Sequence, residues 1–248
     1  MARRKTESKG AAVVIGVGAE SGLGAALARR FAKEGLRVTI AGRTPERLQT
    51  IAEQIEASGG AVAVKVADAT CEADVAALFK EADRESDLAL VAYNVGSNLA
   101  ASALETRSEI FERLWRQNAF GGFLVGREAA RRLSERGGGT ILFTGATASL
   151  RARPPFLAFA AAKAALRAVA QGLAREFGPK GVHVAHIVID GVIAGEYAAT
   201  NFTEYVRSKG ADGVLGVDDI ADAYWALHRQ KRSAWTHEMD LRPFKEPF

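Results

Sequence analysis

A single cysteine, Cys71, in 248 residues excludes an intrachain disulfide. No CxxC or HExxH cluster is present either, so no metal site is expected and a reducing, cytoplasmic setting fits best. Prolines number only six against 25 glycines, which excludes Pro-rich and collagen-like chains. No unbroken apolar run approaches the roughly 18 residues that span a bilayer. The basic opening stretch, 1–10, lacks the apolar segment of a signal peptide and is read as a disordered tail. Charge of one sign is not concentrated: 33 basic and 29 acidic side chains leave +4, with the cations scattered among acids. Neither nucleic acid nor membrane is therefore an expected partner. The 48% of apolar residues suffices for a packed core, and a single domain over 11–248 is the expectation at this length.

Apolar runs of strand length alternate with helical periods from end to end, the βαβ pattern. Stretches 11–17, 37–41, 62–66, 88–92, 140–143, 182–189 and 235–241 read as strands. After the first, Leu23, Leu27 and Phe31 fall on one helix face, and Gly35 ends that helix. Thr44-Pro45 is an N-cap followed by proline, opening a helix striped by Leu48, Ile51 and Ile55 and broken at Ser58-Gly59-Gly60. Further helices are predicted over 74–84, from a capping box of Thr106 and Glu109, over 156–177, and over 218–227 with Asp218 as cap. The weakly periodic 191–216 is expected to be a substrate or lid loop carrying a short helix or two. The predicted architecture is α/β: a single doubly wound Rossmann-type domain, a parallel seven-stranded sheet with helices on both faces.

Between the first strand and its helix stands Gly18-Ala19-Glu20-Ser21-Gly22-Leu23-Gly24, a GxxxGxG run. Glycine allows positive φ at the turn and close approach of backbone N–H groups to a pyrophosphate, and the helix N-terminus adds a favourable dipole. Any strand-to-helix turn also favours glycine. The tip of the second strand, Ala41-Gly42-Arg43, has no acid for a ribose 2′-OH but has a cation for a 2′-phosphate. NADP(H) is thus preferred and NAD(H) possible; the plainer alternative is a solvated Arg43 beside a helix cap. Asp68, at the tip of the third strand, is placed to accept from an adenine amino group or to turn the chain into Thr70.

This order of motifs resembles the short-chain dehydrogenase/reductase family: GxxxGxG, an Asp after strand three, Tyr93-Asn94-Val95-Gly96 in place of NNAG, Asn118 in the long helix, then a helix bearing Lys163. The similarity covers nearly the whole chain after Gly10. It implies NAD(P)(H) binding, with Asn94, Gly96 and Lys163 at the cofactor, and hydride transfer to or from a carbonyl or alcohol. It also implies a catalytic Asn, Ser, Tyr and Lys. Here YxxxK reads Phe159-Ala160-Ala161-Ala162-Lys163, and phenylalanine has no proton to give. The family serine, an oxyanion donor about thirteen residues earlier, falls at Ala146, leaving Thr147 or Thr144 as substitutes. The enoyl reductase variant has its tyrosine about seven residues before the lysine, where this chain has Phe156. The pattern resembles an atypical branch of the family; some relatives acting on unsaturated thioesters also lack that tyrosine. After the sixth strand Asp190-Gly191 replaces the family's Pro-Gly, with main chain near Val192 or Ile193 placed for the nicotinamide carboxamide.

Asp190 is read either as a replacement acid/base or as a turn former. Lys163 has no acid in its own helix turn, and Asn118 is expected to hold a water that meets it. Tyr197, in the lid, is a second candidate acid or lid packing. Arg151 and Arg153 are read as an anion site or as solvated loop. His183 and His186, three apart on a strand, face opposite ways and are not joint ligands. Phe111 and Trp115 suit an oligomer seam, since the family pairs through this helix and the Lys163 helix, giving a homodimer or homotetramer. Two functions are carried forward. One is an NADP(H)-dependent oxidoreductase with a degenerate site, acting on a small-molecule carbonyl, alcohol or activated alkene. The other is an inactive dinucleotide-binding pseudoenzyme, a redox sensor or interaction subunit.

Overall fold

Alternation along each strand sends odd and even residues to opposite faces of one sheet, and both faces are apolar. In the computed structural model, which describes residues 9–84 and 86–247, the strands are β1 (Ala11–Ile15), β2 (Arg37–Gly42), β3 (Ala61–Val66), β4 (Leu88–Tyr93), β5 (Gly139–Thr144), β6 (Val182–Ile189) and β7 (Glu238–Leu241). Residues 1–8 of the expected tail lie outside the described residues. All neighbours pair parallel in the order β3-β2-β1-β4-β5-β6-β7. Ala12 and Val14 enter one core with α1 (Leu23–Lys33), α2 (Pro45–Ala57) and α9 (Val217–His228). Val13 and Ile15 enter the other with α3 (Glu72–Ala82), α5 (Gly121–Glu135) and α6 (Leu157–Phe177). The strand order reverses between β1 and β4, and ligands of such sheets bind outside the carboxyl ends there.

The helix ends follow their local chemistry. Gly35 (φ +93) donates to Ala32 O and Leu36 N to Phe31 O, closing α1 in a Schellman motif; Gly59 and Gly60 close α2 the same way. Three expectations shift. β1 stops at Ile15 because Gly16 turns away at φ +92, and a Cβ there would stand 2.6 Å from Asn94 main chain. The capping box at Thr106 does not form: the Thr106 hydroxyl donates back to Ser102 O, and α4 (Ser108–Trp115) starts after Arg107. β7 is only four residues long, because Trp235 stacks on His183 and Thr236 bonds Gln230 before pairing begins.

The segment 191–216 carries two short helices, α7 (Glu196–Asn201) and α8 (Thr203–Lys209). By length and composition alone Leu157–Lys180 would pass for a membrane-crossing helix, which corrects the expectation that no stretch approaches that size. Lys163 and Arg167 interrupt it and hide it from a search for unbroken runs. Its inner face packs Leu166, Ala170 and Leu173 into the core.

Candidate functional site

Lys163 is brought under the end of β5 by α6. Its side chain is 4% exposed, and Nζ donates to Thr144 O at 2.8 Å. Burial pushes the ammonium down to about 8. One turn earlier Phe159 presents its ring 5.8 Å from Nζ, so the i, i+4 pair meets as the spacing predicts, with an aromatic face and no hydroxyl. Gly96 closes the other side: a Cβ there would stand 3.1 Å from Asn118 Oδ1 and 3.2 Å from Lys163 Nζ.

Asn118 sits in a π-helical turn, 116–120, between α4 and α5. Such turns free main-chain groups for side chains. Here Gln117 O accepts from the buried Tyr93 hydroxyl at 2.6 Å. Burial raises that phenol far above its usual range. Asn118 Nδ2 donates to Leu114 O and Ser97 O at 2.9 and 3.1 Å. Its Oδ1 is buried and has no hydrogen-bond partner among the described residues. A buried acceptor held near an ammonium, with no side chain at Gly96 to crowd the two, is a seat for a water or ligand hydroxyl.

The glycine run forms the turn into α1. Gly18 has nothing within 4 Å of its missing side chain, whereas a Cβ on Gly24 would stand 2.6 Å from Gly16 O. Glu20 reaches α2, accepting from Gln54 Nε2 at 2.7 Å. Arg43 is exposed at the tip of β2 and makes no hydrogen bond among the described residues; its charge, with that of Arg116, helps hold Asp68 below the usual carboxylate range. The larger cause is the Thr70 N–H, which donates to Asp68 Oδ1 at 2.8 Å, so that oxygen turns the chain into Thr70.

Several candidates are committed elsewhere. Asn94 is a clasp: Nδ2 donates to Gly16 O, while Oδ1 accepts from the Thr144 hydroxyl at 3.0 Å. Since Thr144 has one hydroxyl proton, the buried Tyr224 hydroxyl, 2.8 Å away, donates to it. Thr147 gives its hydroxyl to Asp190 Oδ1. Both threonine hydroxyl protons are thus engaged in the structure, and the Ala146 N–H is bonded to Ser149 Oγ. Asp190 is 5% exposed and also takes Arg151 and Arg242 on Oδ2. Held in this way, the carboxylate joins the ends of β5, β6 and β7. Gly191 lies against Pro243, where a Cβ would stand 2.7 Å from the ring. Main chain of Val192 and Ala194 pairs with Leu215, which leaves the N–H and C=O of Ile193 on the opposite edge.

The sequence reading missed Gly16, Tyr224 and a part-buried relay behind Lys163. In that relay Arg167 bonds both oxygens of Glu238, at 2.6 and 2.7 Å, and Glu238 Oε2 meets His186 Nδ1 at 3.0 Å. His186 Nε2 is buried without a partner among the described residues, facing Gly145. Burial pushes this imidazole down to about 4. Only the pairing of β6 with β7, over fifty residues on, brings these groups together.

A parallel sheet with a glycine turn at its switch point and a buried lysine across from it defines a Rossmann-type protein with a ligand cleft at the strand ends. The short chain dehydrogenase family model matches residues 12–206. A short-chain dehydrogenase from Rhodopseudomonas palustris is 40% identical, with a TM-score of 0.81 over 94% of this chain and 99% of that one. The cyclic-di-GMP-binding biofilm dispersal mediator protein of Escherichia coli is 34% identical over 69% of each chain. Glucose 1-dehydrogenase of Gluconobacter oxydans is 30% identical over 69% of this chain and 65% of that enzyme. The chain belongs to the short-chain dehydrogenase family.

Proposed function

We propose that this protein is an NADP(H)-dependent oxidoreductase that works without the usual serine and tyrosine hydroxyls. The observation that carries the reading is the pairing of a buried ammonium, Lys163, with the unpartnered Oδ1 of Asn118 across Gly96. The residues fit the coenzyme: Gly18 leaves an open cradle at the phosphate turn, and Arg43 offers an exposed guanidinium where a 2′-phosphate would lie. When bound, the coenzyme supplies or takes up the hydride. Gly18, Glu20, Ser21, Gly22, Leu23 and Gly24 would hold the pyrophosphate; Arg43 the 2′-phosphate; Asp68 the adenine side; Gly96 and Lys163 the nicotinamide ribose; and Gly191 and Ile193 the carboxamide.

Lys163 contributes charge and two free N–H donors beyond the one on Thr144 O. Asn118 supports a water against it, and that water is the proton source in place of a phenol. A missing general acid costs about 10² to 10⁴ in rate, so slow turnover of a small carbonyl, alcohol or activated alkene is expected. Phe159 and Ala146 make the pocket apolar where the family is polar, which favours a substrate whose reacting group needs little hydrogen bonding. A second copy of the chain would cover Phe111, Trp115, Phe123 and Leu157, each between 37% and 46% exposed. A reducing, cytoplasmic setting accords with the exposed thiol of Cys71.

Absence of both hydroxyls, and a relative named for nucleotide binding, favour a second reading as a coenzyme-binding protein without turnover. Fluorescence titration with NADPH and NADH, alongside Arg43→Ala and Lys163→Ala, tests the shared core of both. Micromolar NADPH binding, weakened in both variants, is the expected result. No binding of either nucleotide would reject the two readings together.

A further inference from the structure

We propose that Glu196 of the lid competes with the coenzyme's 2′-phosphate for Arg47, so that this pair both tunes coenzyme choice and reports the phosphate to the lid. The inference rests on the reading that NADP(H) occupies the β1–β2 corner. Arg43 and Arg47 issue from one short stretch, the tip of β2 and the first turn of α2. Arg47 is not free: its Nη2 lies 3.0 Å from Glu196 Oε1. Glu20, tied to Gln54, adds a second carboxylate to the same corner. Arg47 thus already meets a carboxylate in the stretch where an anion is to bind.

The lid is seated there by main chain as well. Glu196 N donates to Ser21 Oγ at 3.0 Å, and Gly195 lies so close that a Cβ would stand 2.7 Å from Ser21 O. On the other flank the Tyr197 hydroxyl donates to Asn98 Oδ1 at 2.9 Å. Three consecutive residues therefore pin the start of α7 across the phosphate turn and the exit of β4. Both members of the Arg47–Glu196 pair are 50% exposed, so water and salt hold it loosely. A phosphate monoester carries more charge than a carboxylate and three acceptor oxygens, and it displaces Glu196 from the guanidinium. A coenzyme without the phosphate leaves the pair in place. The 2′-phosphate thereby loosens one of the lid's anchors, and NAD(H) does not.

The test is NADPH and NADH titration of the full chain by fluorescence, for wild type, Glu196→Gln, Arg47→Ala and the double variant. Removing the competing charge should tighten NADPH binding by about threefold to fivefold and leave NADH unchanged. Arg47→Ala should weaken NADPH by about tenfold, and Glu196→Gln should then add nothing in the double variant. An unchanged NADPH-to-NADH ratio in Glu196→Gln, with wild type binding NADPH, overturns the competition alone. Wild type binding neither nucleotide overturns the coenzyme reading beneath it.

Discussion

The two ends of the sheet's carboxyl edge treat their polar groups in opposite ways. At the β1–β2 corner the glycine turn is open at Gly18, Arg43 makes no hydrogen bond among the described residues, and the ion pair of Arg47 with Glu196 is half exposed. At the β5–β7 corner nearly every polar side chain is used up: Thr144 by Asn94 and Tyr224, Thr147 by Asp190, Asp190 also by two arginines, and Glu238 by Arg167 and His186. A corner that awaits a charged ligand keeps donors unsatisfied in reach of water, where they cost little. A corner that holds three strand ends together closes its hydrogen bonds internally, because a buried unpaired group is expensive. Lys163, Asn118 and Gly96 lie on the boundary between the two, where the buried Asn118 Oδ1 has no hydrogen-bond partner among the described residues.

If that contrast is right, perturbing the closed corner should cost stability and perturbing the open one should cost binding. Asp190→Ala leaves two guanidinium groups facing each other, and should destabilise the fold by about 3–5 kcal/mol in chemical denaturation. A loss of activity with unchanged stability would instead return Asp190 to the acid/base role. The histidines supply a pH signature. His186 and His228 are each pushed down to about 4 by burial, so the folded state binds fewer protons than the unfolded one between that value and about 6.5. Stability is then fully present above pH 6.5 and lost as pH falls towards 4, by about 3 kcal/mol for His186. Denaturation midpoints followed through tryptophan fluorescence across that window check it; His186→Asn should flatten the slope.

Smaller effects belong to the boundary and the open corner. Lys163→Met removes a charged donor and should weaken NADPH binding by about tenfold to a hundredfold while altering the denaturation midpoint little. Thr144→Val removes the bonds to Asn94 and from Tyr224 and should cost about 2 kcal/mol of stability without changing coenzyme preference.

The open corner was also the legible one. Its elements are local: a glycine run between strand and helix, Arg43 one residue past β2, and Lys163 one turn after Phe159 are all read from spacing. The strands and most helices follow for the same reason, since periods of two and 3.6 are properties of neighbouring residues. The closed corner resisted because its bonds join distant segments. Asp190 looked like a free carboxylate beside the reaction until Arg242, fifty-two residues on, arrived through β7. Gly16 passed unnoticed because its close neighbour is Asn94 on another strand. Thr106 failed as a cap because Ser102, outside the four-residue signature, offered a nearer carbonyl.

The central claim is that the coenzyme corner is intact and independent of the altered chemistry at Phe159. NADPH titration and a carbonyl reductase screen on wild type and Phe159→Tyr test it most directly. The account predicts equal micromolar NADPH affinity in both proteins, with reductase activity at least about a hundredfold higher once a phenol stands one turn before Lys163. Loss of NADPH binding in the variant, or no gain in activity despite unchanged binding, would contradict it.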